Sequence, residues 1–343
     1  MPFATPLLLS TMIGAMAVAA PHVSASPLLI GVNVHNGPES ESRAYKPDFE
    51  IPALRALGVN SFRDGLWPAQ FSPDATYPFG PGYDRLKQVL DAGIGRPLLI
   101  LMAADGPSLA APDQRAKALA DAARFAAAVA HSGRPWSPLY EVWNEWNVKA
   151  LGIPGTPPDP SYSAENYVAL ARAIAPAVHQ ADPNAKVLVG AIGDDPQWTW
   201  TRRALDAGLL QSGDGVSLHL FDYCDAPADR TAARLIERSL AFRQLIRRAN
   251  NGKDADVYVT EFGWPTAQGA CHVDIGEATA NTVQYIRWAR TQPWIKGIWL
   301  YELKNSGYGA DNIEDNFGVY DFDGKPKLDV SQIRDAIKQA RGQ

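Results

Sequence analysis

The sequence contains no block of like charge, only two cysteines and, beyond its N-terminal region, no long apolar run. Its 32 basic and 37 acidic residues give a net charge of −5 over 343 residues. The most basic stretch, residues 230–248, contains Glu237 and spaces its charges helically, which indicates a solvated helix face. Nucleic acid is not an expected partner, because its phosphates require a basic footprint. The chain also lacks low-complexity segments and linkers, so a single globular unit is expected.

The one apolar run occupies residues 7–20, and Val23-Ser24-Ala25 then places small residues where a signal peptidase reads them. We interpret residues 1–25 as a signal peptide and expect a secreted or periplasmic protein. The run departs from the usual pattern in having no Lys or Arg before it. A short membrane anchor is the alternative, but about 14 apolar residues are fewer than the ~20 needed to span a bilayer. Stable membrane insertion is therefore not expected.

The two cysteines, Cys224 and Cys271, both follow predicted strands. In an exported protein an even pair indicates one disulfide, which here would join two loops on the same face. Two free thiols are the alternative. A zinc site that uses both cysteines and His272 lacks a fourth ligand at suitable spacing, so no metal is expected.

Short β-rich runs alternate with longer helical patterns along the whole chain. The predicted strands are 28–34, 59–63, 97–102, 139–143, 186–192, 215–220, 256–260 and 295–301. The predicted helices are 49–57, 83–92, 113–131, 164–180, 198–207, 231–249, 277–291 and 330–340. Eight such alternations predict a single-domain (β/α)8 TIM barrel over residues 26–343. The alternative, an open doubly wound sheet, usually has a glycine-rich phosphate turn after its first strand, and residues 33–38 contain none.

In such a barrel the active site lies at the C-terminal ends of the strands. Polar and aromatic residues gather at those predicted ends: Asn33, His35, Arg63, Asp64, Trp67, Asn144, Glu145, His219, Tyr223, Glu261, Trp264, Trp299, Tyr301 and Glu302. Glu145 and Glu261 end strands four and seven, which are nearly opposite in an eight-stranded ring. Cleavage of a glycosidic bond requires two carboxyls on opposite sides of it, one protonated and one ionised. The 10 Trp and 12 Tyr residues also suit sugar rings, whose C–H faces stack on aromatics.

The stretches Trp143-Asn144-Glu145 and Thr260-Glu261-Phe262-Gly263-Trp264 resemble those of clan A glycoside hydrolases, which are retaining enzymes on a (β/α)8 barrel. Within the clan the chain is most similar to glycoside hydrolase family 39, and its Glu-Phe-Gly-Trp-Pro run resembles families 5 and 17. Many family 39 members have Pro after the strand-four glutamate, where this chain has Trp146. The resemblance implies a poly- or oligosaccharide substrate and no cofactor.

The resemblance also implies roles for individual residues. Glu145 would be the acid/base and Glu261 the nucleophile, with a raised pKa for Glu145 and a depressed pKa for Glu261. The implied substrate-binding and orienting residues are Asn144, Arg63, His219, Tyr223, Trp299, His35 and Trp264, with Trp299 as the floor of the reacting subsite.

Other carboxylates and other functions remain open from the sequence. Glu141 lies deeper on strand four and is expected to be a buried, paired residue, whereas Glu302 is a rival at the end of strand eight. Asp194 and Asp195 follow strand five and could bind a cation or sugar hydroxyls. The alternative functions are a transglycosylase on the same scaffold and a carbohydrate-binding barrel without catalysis. The oligomeric state is left open.

Overall fold

A computed structural model describes residues 1, 28–37, 45–70, 79–80, 83–152, 155–221, 224 and 226–342. Apart from Met1, the predicted signal peptide lies outside the described residues. Within the described ranges, every helix is too short or too polar to span a membrane.

Eight parallel strands form one sheet that curves into a barrel, which confirms the predicted fold class. The strands are β1 (Leu29–Val32), β2 (Arg63–Leu66), β3 (Leu98–Leu101), β4 (Leu139–Val142), β5 (Lys186–Ile192), β6 (Gly215–Leu220), β7 (Val257–Phe262) and β8 (Ile295–Leu300). Their order is β1-β8-β7-β6-β5-β4-β3-β2, and a single parallel bridge between Asn33 and Arg63 joins β1 to β2. The C-terminal ends of all eight strands therefore surround one mouth.

Helices cover the outside of the barrel. They are α1 (Pro47–Leu57), α2 (Asp84–Asp91), α3 (Gly106–Ala110), α4 (Pro112–Gly133), α5 (Trp146–Leu151), α6 (Ala164–Ala181), α7 (Thr199–Asp206), α8 (Ala232–Ala249), α9 (Ile275–Arg290) and α10 (Val330–Arg341). Their ends have the expected signals: Pro47 begins α1 and Gly58 ends it in the left-handed region (φ 72°), while Thr231 and Asp329 cap α8 and α10 through their side chains. The short helices α3 and α5 were not predicted.

The predicted boundaries of the second strand are wrong. Residues 59–62 form an irregular segment in which Asn60 makes two bonds to the backbone of Ile30. Oδ1 of Asn60 accepts the Ile30 N–H (2.7 Å), and the backbone N–H of Asn60 donates to the Ile30 carbonyl (3.0 Å). The strand begins only at Arg63. Arg63 therefore stands at the start of β2, and its side chain lies within the barrel mouth, where it is 2% exposed.

The predicted disulfide between Cys224 and Cys271 is present, with the two Cα atoms 4.6 Å apart. Cys224 follows β6 and Cys271 precedes α9, so the bond links two loops on the side of the barrel where the strands end. The link closes a chain segment of 47 residues.

Candidate active site

Glu145 reaches the barrel mouth through an abrupt turn in the backbone after β4. Trp143 and Glu145 both adopt left-handed conformations, with φ of 63° and 50°. Each such residue costs of order 1–3 kcal/mol and is maintained only by surrounding contacts, such as the bond from the Glu145 N–H to the Ala191 carbonyl (3.0 Å). A Cβ on Gly193 would lie 2.6 Å from Cγ2 of Val148 and 2.7 Å from Oε1 of Glu145, so a larger residue would crowd the carboxylate. The Glu145 side chain remains 32% exposed.

Glu261 also lies at the mouth, one residue before the end of β7. Its side chain is 9% exposed, much less than that of Glu145. Oxygen atoms of the two carboxyls and a ring nitrogen of His219 all lie within 4.8 Å of one another. The structure thus brings together the two glutamates that the sequence indicated.

Arg63 connects the residues around this pair. Its Nε donates to Oε2 of Glu141 (2.7 Å), and its Nη1 donates to Oδ1 of Asn33 (2.8 Å) and to Oε1 of Glu261 (2.5 Å). Its Nη2 donates to Oδ1 of Asn144 (2.6 Å). Glu141 is fully buried, as expected for a paired residue. Because the planar guanidinium binds all four partners, it fixes the nucleophile candidate and the Asn144 amide relative to each other.

His219, on β6, lies between the two glutamates. Its Nδ1 donates to Oε1 of Glu145 (2.8 Å) and is 3.5 Å from Oε2 of Glu261. Burial lowers the pKa of His219, but the negative charges of Glu261 and Glu145 outweigh burial and raise it above its ordinary value. The Nδ1–H group of His219 thus lies close to both carboxyls.

The predicted order of the two glutamate pKa values is reversed. Burial raises the pKa of Glu145, but the hydrogen bond and charge of His219 outweigh it and hold that pKa below its ordinary value. Burial raises the pKa of Glu261 above its ordinary value, and Arg63 and His219 only partly oppose this effect. The physical reason is the position of His219, whose Nδ1 bonds the glutamate expected to be the acid.

Glu145, His219 and Glu261 also have the ligand types and proximity of a metal site. Nη1 of Arg63, however, already lies 2.5 Å from Glu261, and its Nη2 lies 3.4 Å from Nε2 of His219. A metal ion at this position would have to displace or approach a guanidinium cation. The geometry fits proton transfer between these groups better than metal binding.

A second group of polar residues borders the mouth where β1 and β8 end. Glu302 is fully buried, and its Oε2 accepts bonds from Nε2 of His35 (2.8 Å) and the Tyr45 hydroxyl (3.2 Å). Its Oε1 accepts a bond from the Ser306 hydroxyl (2.8 Å). These three donors make Glu302 an anchor for the surrounding loops. His35 is 28% exposed and lies at the mouth as predicted.

The predicted role of Trp299 as the floor of the sugar site is wrong. The side chain is fully buried inside the barrel, where its indole N–H donates to the Ser61 hydroxyl (2.9 Å). A Cβ on Gly31 would lie 2.2 Å from the ring, so glycine makes the space for it. Tyr301, the first residue after β8, is half-buried, and its ring centre lies 6.3 Å from that of His35.

Two further predicted binding residues have different outcomes. Trp264 is only 2% exposed and packs edge-on against Phe262 at 6.3 Å, so it belongs to the core and not to a sugar-binding surface. Tyr223 lies outside the described residues. Asp195 caps the loop before α7, accepting bonds from the backbone N–H groups of Thr199 and Thr201 (both 2.8 Å).

Comparisons with known proteins agree with this fold. No family profile and no curated protein matches the chain. A family 39 glycoside hydrolase from Bacteroides cellulosilyticus WH2 has 21% identity and a TM-score of 0.66, covering 92% of this chain and 64% of its own. A GH5_18 protein from Streptomyces cattleya in complex with GlcNAc has 18% identity and a TM-score of 0.67, with coverages of 93% and 81%. A GH39 enzyme from Xanthomonas axonopodis pv. citri has 16% identity and a TM-score of 0.58, with coverages of 91% and 67%.

These similarities define the class of fold. The chain has a (β/α)8 barrel similar to those of these glycoside hydrolases, which confirms the predicted resemblance at the level of the fold. It spans 64% of the length of the Bacteroides protein.

Proposed function

We propose that this protein is a retaining glycoside hydrolase in which Glu261 is the nucleophile and Glu145 the acid/base. The supporting observation is that oxygens of the two carboxyls lie within 4.8 Å of each other. Retaining enzymes separate the two carboxyls by about 5–5.5 Å, whereas inverting enzymes need about 6.5–9.5 Å to admit a water molecule. The substrate class is a poly- or oligosaccharide.

In the first step Glu261 attacks the anomeric carbon as the glycosidic bond breaks and Glu145 protonates the departing oxygen. Glu145 obtains its proton from the His219 imidazolium, whose Nδ1 lies 2.8 Å from Oε1, and the transfer leaves two neutral groups. Exclusion of water by the sugar favours this transfer, because a charged pair is costly to bury. In the second step Glu145 takes a proton from water, and the resulting hydroxyl displaces Glu261 from the sugar.

Arg63 and Asn144 support the reaction by position. Arg63 binds Glu261 through Nη1 and so favours its ionised form, as attack requires. The Asn144 amide accepts from Arg63 through Oδ1, which directs its NH2 group away from the arginine. That group can donate to a sugar 2-hydroxyl, a contact that strengthens in the oxocarbenium-like transition state.

Trapping with a panel of 2-fluoro glycosides tests the proposal. Intact-mass spectrometry and peptide mapping should find one glycosyl adduct, on Glu261, and none in Glu261→Gln. An adduct on Glu302 would keep the reaction class and overturn the site. No adduct, together with sugar binding on a glycan array, would favour a binding barrel without catalysis. Products formed with added sugar acceptors would identify a transglycosylase.

Export is part of the same proposal. The disulfide supports an oxidising compartment, since such bonds are rare in a reducing cytosol. N-terminal sequencing of protein recovered outside the cytoplasm should begin at Ser26. A start at Met1 would contradict cleavage of a signal peptide.

A further inference from the structure

The long loop between β8 and α10 carries an aromatic ring that is held in solvent. Tyr308 is 73% exposed, whereas the other tyrosines in the part of the chain that the structure describes are buried or half-buried. Its hydroxyl nevertheless donates to Oδ1 of Asp323 (2.6 Å), and its ring packs edge-on against Phe322 at 4.4 Å. The ring is therefore fixed at its hydroxyl and along its edge while most of its surface faces water.

The backbone that carries this ring is also fixed. A Cβ on Gly307 would lie 2.6 Å from the Asp315 carboxylate, which itself accepts the Gly309 N–H (3.1 Å). Asn316 donates to the Gly309 carbonyl (2.7 Å). Gly309 is thus held through both of its backbone polar groups, and Gly307 packs closely against the same Asp315. Little conformational entropy remains to be lost when a ligand binds the ring.

A continuous series of contacts connects Tyr308 to the mouth of the barrel. The Tyr45 hydroxyl bonds Glu302, and the Lys304 ammonium lies 5.3 Å from the centre of the Tyr45 ring and 4.5 Å from that of Phe322. Phe322 in turn contacts Tyr308. Tyr308 lies six positions after Glu302 along the chain, which limits their Cα separation to about 21 Å. These contacts connect the ring to Glu302 at the border of the mouth, and the chain length keeps it within that distance of Glu302.

We propose that Tyr308 is the stacking platform of a distal subsite for an uncharged pyranose unit of a saccharide chain. The proposal rests on the proposed function, because it assumes that a saccharide occupies the mouth. An exposed, immobile aromatic ring suits the flat C–H face of a sugar. The same loop carries the exposed acidic groups of Asp311, Glu314 and Asp323, so a polyanion or an anionic membrane surface would be repelled there.

Affinity electrophoresis tests the platform without requiring turnover. The Glu261→Gln protein is the parent, and the same protein with either Tyr308→Ala or Tyr308→Phe as a second substitution is compared with it. Each is run through gels that contain xylan, glucomannan, galactan or laminarin. Leu240→Ala, which removes an exposed apolar side chain from α8, is the matched control. At least one polysaccharide should retard the parent protein. Tyr308→Ala should weaken that interaction about tenfold, whereas Tyr308→Phe, which keeps the ring, and the control should change it less than about twofold.

Three outcomes would overturn the platform: equal retardation of Tyr308→Ala and its parent, an equal loss in Tyr308→Phe, or no retardation of the parent by any polysaccharide. The adduct experiment reports separately on catalysis. Tyr308-dependent retardation without an adduct on Glu261 would remove the proposed reaction and leave the platform. An adduct on Glu261 without Tyr308-dependent retardation would leave the proposed reaction and remove the platform.

Discussion

Glu50, on α1, offers a test of a buried proton close to the mouth. Its side chain is fully buried, and its Oε1 accepts a bond from Nδ2 of Asn36 (2.9 Å). Its Oε2 and the Oδ1 of Asn36 are both buried without a partner. One proton on Oε2 would satisfy both atoms by donating to Oδ1, which closes a ring of two hydrogen bonds. Burial raises the pKa of Glu50 from 4.5 to about 8, with Asn36 and Arg85 opposing and Asp64 reinforcing the change.

The expected effect on stability follows from the direction of this change. Because the folded-state pKa is raised, the unfolded chain loses this proton first, and stability decreases as pH rises from 4.5 to about 8. At about 1.4 kcal/mol per pH unit the full loss is about 5 kcal/mol. In the Glu50→Gln variant the new amide would form the same two bonds with Asn36 but cannot ionise. The stabilisation of Glu50→Gln over wild type should therefore grow from near zero at pH 4.5 to a few kcal/mol above pH 8.

Urea unfolding of both proteins between pH 4.5 and 9 measures this difference. Glu237→Gln, an exposed substitution on α8, controls for the loss of one charge. Other titratable groups also lie near Glu50, namely Asp64, Arg85 and Tyr45. They are present in both proteins, so their own contributions to the pH dependence of stability largely cancel in the comparison. If the difference in free energy of unfolding between Glu50→Gln and wild type did not vary with pH, Glu50 would be ionised in the folded protein, and the reasoning would be refuted.

Three further predictions concern the mouth. Gly193→Ala should place a methyl group against both the Val148 side chain and the Glu145 carboxylate and lower kcat/KM by about 10- to 100-fold; unchanged kcat/KM would contradict the predicted clash. Replacing Cys224 and Cys271 by Ser should lower the free energy of unfolding by up to about 4 kcal/mol, as expected for a 47-residue loop, and an unchanged urea midpoint would argue against it. The profile of kcat/KM against pH should fall on the acid side through the raised pKa of Glu261 and on the basic side through the raised pKa of His219; an acid limb at the ordinary glutamate value would oppose this assignment.

Much of the site could be predicted because strand ends are visible in the sequence. Alternation of β-rich and helical patterns predicted the barrel, and the barrel places every strand end at one mouth. Glu145 and Glu261 follow directly from that rule, as do Asn144, His35 and His219. These positions depend on local patterns and on a closed topology, which short segments of sequence already encode.

The wrong bounds of the second strand, the depth of Trp299 and the order of the glutamate pKa values share a different cause. Arg63 and Glu261 are 198 positions apart, and their bond depends on where β2 begins. The bonds between Asn60 and Ile30 hold the chain just before that start, and a strand pattern alone does not reveal them. Trp299 fills the barrel because Gly31 leaves space opposite it. The order of the glutamate pKa values likewise depends on which carboxyl His219 contacts.

The sequence by itself determined the order of strands and helices, the (β/α)8 topology, the cysteine pair and the two glutamates at the mouth. Periodicity, helix-ending residues and strand-end position are local properties, so they can be read along the chain. Only the tertiary structure decided the depth of each side chain, the partners of Arg63 and the proton shared around His219. Those properties arise from distances between residues far apart in sequence, and burial and charge act through these distances.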